Sequence, residues 1–297
     1  MIENTLIKNG TVKEIEVLNV GKIIKKYIKN YNLDVSYLFK NVDEVKIMQC
    51  TKTGFRFYYP LSIEGDNTFY IDLYENNKKR LYQETKWEFK EAASIIKDKS
   101  SVLDVGCGSG SFFDALKGKN CNCYGLDKSD FAVDLLKSKG IEFSNEPIES
   151  FAEKNIGKFD YVTGFQILEH VKHPGKFINC MVKMLKKDGV LIIAVPNNEP
   201  YFLKYDKYHT LNLPPHHMGL WNKDSLIKMA AVFELQVHDF KYEGFDYLIQ
   251  YFKQKTGISS NFTTSILKFF FNFLNDILGK RTALVIYKKD RFNDYKI

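Results

Sequence analysis

Two acids and three glycines carry the first chemical signal in this 297-residue chain. The stretch SVLDVGCGSGSFFDAL, residues 101–116, runs from an apolar segment into Asp104. Gly106, Gly108 and Gly110 follow, separated by the small residues Cys107 and Ser109. About twenty residues further on, CNCYGLD ends in a second acid, Asp127. An apolar run that meets a glycine staircase reads as a strand turning sharply into a helix, where the missing side chains let a ligand approach the backbone. An acid at the tip of the next strand accepts hydrogen bonds from two ribose hydroxyls. Together these features describe a nucleoside lying across the tips of two neighbouring strands. Two cofactor types compete for that role. A dinucleotide fingerprint, G-x-G-x-x-G, needs its last glycine at position 111, which is Ser111. S-adenosylmethionine carries no phosphate, and its sulfonium and amino-acid tail suit an acid at the end of the first strand.

The elements that must position these residues alternate in type. Strands are expected at 102–106, 121–127, in GIEFSN, at 158–167 and at 189–197. Helices are expected at 111–118, 130–140, 174–189 and 223–233, with further strands in ELQVHDFKYEG and at 281–289. Regular strand–helix alternation from about residue 101 to about 240 calls for a mostly parallel sheet with helices on both faces. Such sheets bind ligands at the carboxyl ends of their strands, at the switch in strand order. Residues 1–85 differ. A helix-like GKIIKKYIKNY precedes the aromatic stretch FRFYYPLSIEGDNTFYIDLYEN, which reads as an α+β subdomain or lid.

Composition sets outer bounds. Hydrophobic residues make up 44% of the chain, enough for a sizeable core, and no apolar run is long enough to span a bilayer. The five cysteines, Cys50, Cys107, Cys121, Cys123 and Cys180, form no paired framework, and the N-terminus has no secretory pattern, so a reducing cytoplasm is expected. The net charge of +7 comes from scattered lysines, which suits a solvated surface better than a nucleic-acid stripe. The aromatic segment SILKFFFNFLNDIL, residues 265–278, is expected to pack over the sheet edge, with a membrane or partner contact as the alternative.

DVGCGSG followed by GLD resembles the first two motifs of class I methyltransferases that use S-adenosylmethionine. The likeness continues through FDYVTGFQILEHVKHPGKFI and LKKDGVLIIAVPN, and spans roughly residues 86–240. It implies a Rossmann-like, doubly wound, mostly parallel seven-stranded sheet over residues 86–297. Its core is expected at 100–240, with a helix and a closing strand at 260–290. It also implies site residues. Asp104, Gly106, Cys107, Gly108 and Gly110 should line the methionine moiety, and Asp127 should hold the ribose. Pro147 and Ile148, after Glu146, should border the adenine, and Phe165 and Gln166 should touch the cofactor from the fourth strand tip.

Methyl transfer to a hydroxyl needs alignment and a way to remove one proton. QILEHV places Glu169 and His170 after the fourth strand, and YHTLNLPPHHMGLW adds His209, His216 and His217 after the fifth. Four of the six histidines thus fall in two loops that should face one cleft. His170 or His217, with Glu169 beside them, is the expected base. The segment also resembles two metal-using groups, ubiquinone-pathway O-methyltransferases and small-RNA 2′-O-methyltransferases. By that likeness Glu169, His170 and His217 are the set that would hold a divalent metal. Gln166 replaces the first glutamate of their E-x-x-E-H segment, so metal use is not the expectation. The loop L-P-P-H-H-x-x-x-W is similar to one in bacterial small-molecule methyltransferases where no metal is implied. A third reading has the histidines only cap helices and order the loop.

The N-terminal region resembles that of methyltransferases found among surface-polysaccharide and natural-product enzymes. Cys50 remains from a zinc half-site seen there, but Thr53 takes the second position, so no zinc is expected. Tyr58, Tyr59, Tyr70, Tyr82 and Trp87 are candidates for an aromatic lid, with a small aromatic core the preferred reading for Tyr58 and Tyr59, and Tyr82, Trp87 and His216 are candidates for acceptor contacts. The reading that results is an S-adenosylmethionine-dependent enzyme acting on a small molecule, with a nucleotide-linked or glycan sugar hydroxyl as acceptor. An RNA 2′-O-methyltransferase and a non-catalytic binding module are the rivals. Salt-sensitive RNA binding would favour the first, and cofactor binding without turnover the second.

Overall fold

The computed structural model describes residues 2–81, 86–129, 135–199, 207–243 and 282–289. Tyr82 and the aromatic segment 265–278 lie outside these residues.

Two sheets organise the chain. The N-terminal one contains β1 (Val12–Asn19), β2 (Glu44–Cys50) and β3 (Arg56–Tyr59). They pair antiparallel in that order, with helix α1 (Val20–Tyr31) between the first two. Asn19 starts α1, its side chain accepting from the Lys22 amide, and Asn32 closes it in the left-handed conformation. Val20, Ile23 and Tyr27 bury one face of α1. Helix α2 (Asn67–Leu81) follows, and α3 (Trp87–Ile95) leads into the second sheet.

That sheet begins with β4 (Ser101–Val105), α4 (Ser111–Asp114), β5 (Asn122–Leu126) and β6 (Glu142–Ser144). It continues with α5 (Ile148–Lys154), β7 (Phe159–Phe165), α6 (Pro174–Met184) and β8 (Leu185–Pro196). After a two-residue strand, β9 (Gly219–Leu220), come α7 (Lys223–Val232), β10 (Leu235–Tyr242) and β11 (Thr282–Lys289). The spatial order is β10-β11-β8-β7-β4-β5-β6. The five strands β4 to β8 run parallel, and β11 is antiparallel to both β8 and β10. This is the expected seven-stranded, mostly parallel, doubly wound sheet. Its strand order reverses at β4, between β5 and β7, which fixes where a ligand crevice opens.

The apolar strands are continuous because both faces are covered. On β8, Leu191, Ile193 and Val195 join one core while Ile192 and Ala194 join the other. Ala283, Val285 and Tyr287 of β11 alternate in the same way with Leu284 and Ile286. Helix α3 covers one face through Phe89, Ala92, Ala93 and Ile96. The other face packs α5, α6 and α7 together with Met48, Cys50, Phe55 and Phe57 of the N-terminal region.

Three elements depart from their expected bounds. The helix expected over 174–189 stops at Met184, because Leu185 is extended, fully buried and paired with Phe159 at the start of β8. The helix expected over 111–118 is a single turn, α4, continued by turns. Of the helix expected over 130–140, residues 135–138 are described and helical. The strand β9 has no counterpart in the expectations. It pairs with β3 and so makes the fourth strand of the N-terminal sheet from the loop after β8.

Candidate active site

The glycine bend follows β4 directly. Gly106, Gly108 and Gly110 all sit at positive φ, at 74°, 49° and 68°. Side chains rarely adopt that region, and at Gly106 a Cβ would also lie 2.2 Å from Ile167 Cδ1. The bend is tied to the tip of β5. The Gly106 amide donates to the Leu126 carbonyl at 2.7 Å, and the Gly108 amide to Asp127 Oδ2 at 2.8 Å. The Ser129 amide holds the other oxygen of Asp127 at 2.9 Å. Asp104 lies beneath the bend, 3% exposed, and accepts from the Thr163 hydroxyl at 2.7 Å. Burial pushes its carboxyl up from 3.8 to about 7, with the nearby Asp127 adding to the rise. Cys107 turns into the core against Gly125, so it faces a ligand through its backbone.

The neighbouring tips complete the crevice. Pro147, exposed, and Ile148, buried, start α5 just beyond β6. Phe165 ends β7 and packs against Phe89 and Phe112, with ring centroids 5.2 and 4.8 Å apart. Gln166 follows at a φ of 53°, unusual for a side-chain-bearing residue. Its amide donates to the Ala194 carbonyl, and its side chain reaches the buried Glu88 of α3 at 3.4 Å. Strain of this kind concentrates at functional positions. Trp87 is half-buried at the start of α3, beside Lys86 and Glu88.

The two histidine loops meet at the same edge. The rings of His170, His216 and His217 form a triangle with centroids 4.7, 4.8 and 4.6 Å apart. The loop after β8 is clamped onto the loop after β7, because the Met218 and Gly219 amides both donate to the Glu169 carbonyl at 2.7 and 2.9 Å. Further support comes from the N-terminal layer. The Tyr27 hydroxyl donates to the Leu213 carbonyl at 2.9 Å, and Tyr70 reaches both His170 Nδ1 and the His216 carbonyl at 3.5 and 3.4 Å. His170 Nδ1 lies 2.7 Å from the His216 carbonyl, which makes Nδ1 the protonated nitrogen and leaves the Nε2 lone pair free. Burial holds His170 down at about 4, and His216 and His217 well below the usual imidazole range. All three are neutral at pH 7. Burial also lifts Glu169 to about 8.

Sequence reasoning placed His216 among acceptor contacts and set Glu169, His170 and His217 apart as a group. The structure brings all four together. Tyr70, a candidate lid residue, stands against His170 and His216. Glu88 was not assigned to this neighbourhood, and nothing in the sequence pointed to it beyond its place beside Trp87. Tyr58, by contrast, is buried, its hydroxyl donating to the Asn212 carbonyl at 2.8 Å.

Known proteins are similar to this chain in sequence and fold. A family model described as a methyltransferase domain matches residues 75–239. Among curated proteins, a ubiquinone biosynthesis O-methyltransferase of Thiobacillus denitrificans is 28% identical over 163 residues, 53% of this chain and 65% of that protein. One from Pseudomonas putida is 26% identical over 199 residues, covering 60% of this chain and 82% of the relative. The first three curated relatives are matched over 65%, 45% and 54% of their length. Among solved structures, an S-adenosylmethionine-dependent methyltransferase from Archaeoglobus fulgidus superposes with a TM-score of 0.53 at 16% identity, covering 75% of this chain and all of that one. A Burkholderia thailandensis 1,6-didemethyltoxoflavin-N1-methyltransferase gives 0.51 at 13% identity, covering 75% of this chain and 86% of the other. With a glycine bend tied to an acid at the switch in strand order, and a family match over more than half its length, the chain belongs to the methyltransferase domain family of S-adenosylmethionine-dependent class I enzymes.

Proposed function

We propose that the protein moves a methyl group from S-adenosylmethionine to a hydroxyl of a small molecule. One observation carries the reading: a cluster of neutral imidazoles stands at the tips of β7 and β8, on the strand-end edge that carries the glycine bend. When bound, S-adenosylmethionine supplies an electrophilic sulfonium methyl and leaves as a neutral thioether. Asp127 and the bend would hold the nucleoside end, and the buried Asp104 would counter the charge of the methionine end. His170 offers Nε2 to the acceptor hydroxyl and takes its proton as the oxygen–carbon bond forms. The His216 carbonyl, at 2.7 Å from Nδ1, fixes the tautomer that makes this possible. Trp87 and His216 border the acceptor.

Oxygen as the acceptor atom draws support from relatives named O-methyltransferases. A nucleotide-linked or glycan sugar is the specific acceptor suggested by the likeness of the N-terminal region to surface-polysaccharide enzymes. The test is incubation of the protein with methyl-labelled S-adenosylmethionine and a metabolite extract of its own cell, followed by identification of the labelled product. A labelled hydroxylated metabolite, lost with His170→Ala, is expected. Label on nitrogen or carbon, or no turnover despite cofactor binding, would overturn the reading.

A further inference from the structure

Two prolines leave the histidine loop short of backbone donors. In LPPHH, residues 213–217, Pro214 and Pro215 have no N–H, so three amides must hold the whole stretch. The Leu213 amide turns back to the Thr210 carbonyl, and the His217 amide donates to the Leu213 carbonyl at 3.1 Å. The His216 amide instead meets the Tyr27 hydroxyl of α1 at 3.4 Å, and that hydroxyl donates to the Leu213 carbonyl at 2.9 Å. Tyr27 is fully buried, its ring centroid 5.8 Å from that of Tyr31 and 6.0 Å from that of Phe69. One hydroxyl thus serves the loop as donor and as acceptor.

The consequence falls on His216. A peptide unit is planar, so a bond at one end orients the group at the other. In the unit before His216, the Pro215 carbonyl accepts from the Gly65 amide at 3.0 Å and the His216 amide rests on Tyr27. In the unit after it, the His217 amide is held on the Leu213 carbonyl that Tyr27 shares. The far end of that second unit is the His216 carbonyl, which takes Nδ1–H of His170 at 2.7 Å. The Tyr70 hydroxyl approaches the same carbonyl and Nδ1 at 3.4 and 3.5 Å, but from the exposed side, where water competes with it.

We propose that Tyr27 is a positioning residue for His170: through the His216 backbone, its hydroxyl keeps the proton on Nδ1 and the lone pair on Nε2. The proposal rests on the assignment of His170 as the base. Which imidazole nitrogen carries the proton is set by the partner of the other, so the placing of one carbonyl decides the tautomer. Without the hydroxyl, both peptide units around His216 lose an anchor and the carbonyl swings off Nδ1. Part of the His170 population then carries its proton on Nε2, where it cannot accept another from a hydroxyl. Tyr27 lies outside residues 75–239, which the methyltransferase-domain model matches, so the N-terminal layer brings its own part to the reactive loop.

The experiment is nitrogen-15 NMR of the histidine side chains, with amide hydrogen exchange, on full-length wild type, Tyr27→Phe and Tyr287→Phe at pH 7. Tyr287 is the control, since it is also fully buried and its hydroxyl donates at 2.9 Å to the Leu226 carbonyl of α7 rather than to the loop. The wild type should show His170 protonated at Nδ1, and a slowly exchanging Tyr27 hydroxyl proton in contact with the His216 amide. Tyr27→Phe should raise the Nε2-protonated fraction of His170 and speed exchange of the His216 amide, each at least tenfold. Tyr287→Phe should leave both as in the wild type. S-adenosylmethionine, titrated by calorimetry, should bind all three within twofold, which shows them folded. Wild-type His170 protonated at Nε2, or no contact between the Tyr27 hydroxyl and the His216 amide, overturns the proposal without any variant. So does Tyr27→Phe with the wild-type tautomer and exchange, or an equal change in Tyr287→Phe. A wild type that binds no S-adenosylmethionine overturns the methyltransferase reading instead.

Discussion

Replacing Asp104 with asparagine separates the cofactor's charge from the fold's own needs. Asp104 is 3% exposed and its carboxyl rises from 3.8 to about 7, chiefly through burial. At about 1.36 kcal/mol per pH unit, that rise corresponds to roughly 4 kcal/mol of folding stability. The sign follows from the direction. A carboxyl raised in the folded state is fully tolerated below its unfolded value of 3.8, and its cost grows as pH climbs through about 7. The wild type therefore loses stability between about pH 4 and pH 8, and Asp104→Asn does not. The asparagine can still accept from Thr163, as the protonated acid does at 2.7 Å. By pH 8 the variant should melt on the order of 8–12 °C above the wild type, with the gap narrowed to less than half by pH 5 and closed only near pH 4. A bound sulfonium and ammonium offset the ionised acid, so wild-type affinity for S-adenosylmethionine should rise from pH 6 to pH 8. The variant's affinity should stay flat and at least tenfold weaker at pH 8. Thermal melts and calorimetry over that range read both effects. Parallel wild-type and variant melting curves from pH 5 to 8, or equal cofactor affinity at pH 8, would refute the reasoning.

Other outcomes are expected of the same site. His170→Ala should lower kcat by about 100- to 10,000-fold with little change in cofactor affinity, read by initial rates and calorimetry. Because His170 is held down at about 4, the wild-type rate should show no acid limb from that imidazole between pH 6 and 8 and should decline only as pH approaches 4. Gly108→Ala meets open space and should cost about 1 kcal/mol in a denaturant titration, the left-handed backbone alone. Gly106→Ala should cost more, because its Cβ meets Ile167 at 2.2 Å. Trp221→Ala removes a fully buried ring packed at a tilt with its centroid 4.2 Å from that of Phe55 and should destabilise by about 3–5 kcal/mol, read the same way.

The parallel sheet was legible because its strands are apolar runs bounded by glycines and acids, a local pattern that tertiary packing does not rewrite. Asp104, the three glycines and Asp127 were legible because the bend they make is set by backbone conformation and spacing. The ends of α6 and α4 were not. Leu185 continues a helical pattern in sequence, yet pairs as a strand because Phe159 waits beside it. The N-terminal strands escaped notice because β1 alternates weakly, with Ile15 and Val17 left exposed. The two residues of β9 carry no periodicity at all. That His170, His216 and His217 touch could be read only as two loops facing one cleft, since the pairing of 46 residues' separation is decided by the clamp on the Glu169 carbonyl.

The strand β9 has a consequence for how this protein can be altered. Gly219 and Leu220 lie one residue beyond the histidine pair and are stitched to Phe57 and Arg56. The N-terminal layer is thus a splint for the reactive loop, not a detachable cap. Trimming the chain to its sheet-and-helix portion would strip β9 of its β3 edge and leave the imidazole loop to the clamp on the Glu169 carbonyl, and transplanting a different N-terminal segment would succeed only where it offers β9 an equivalent edge.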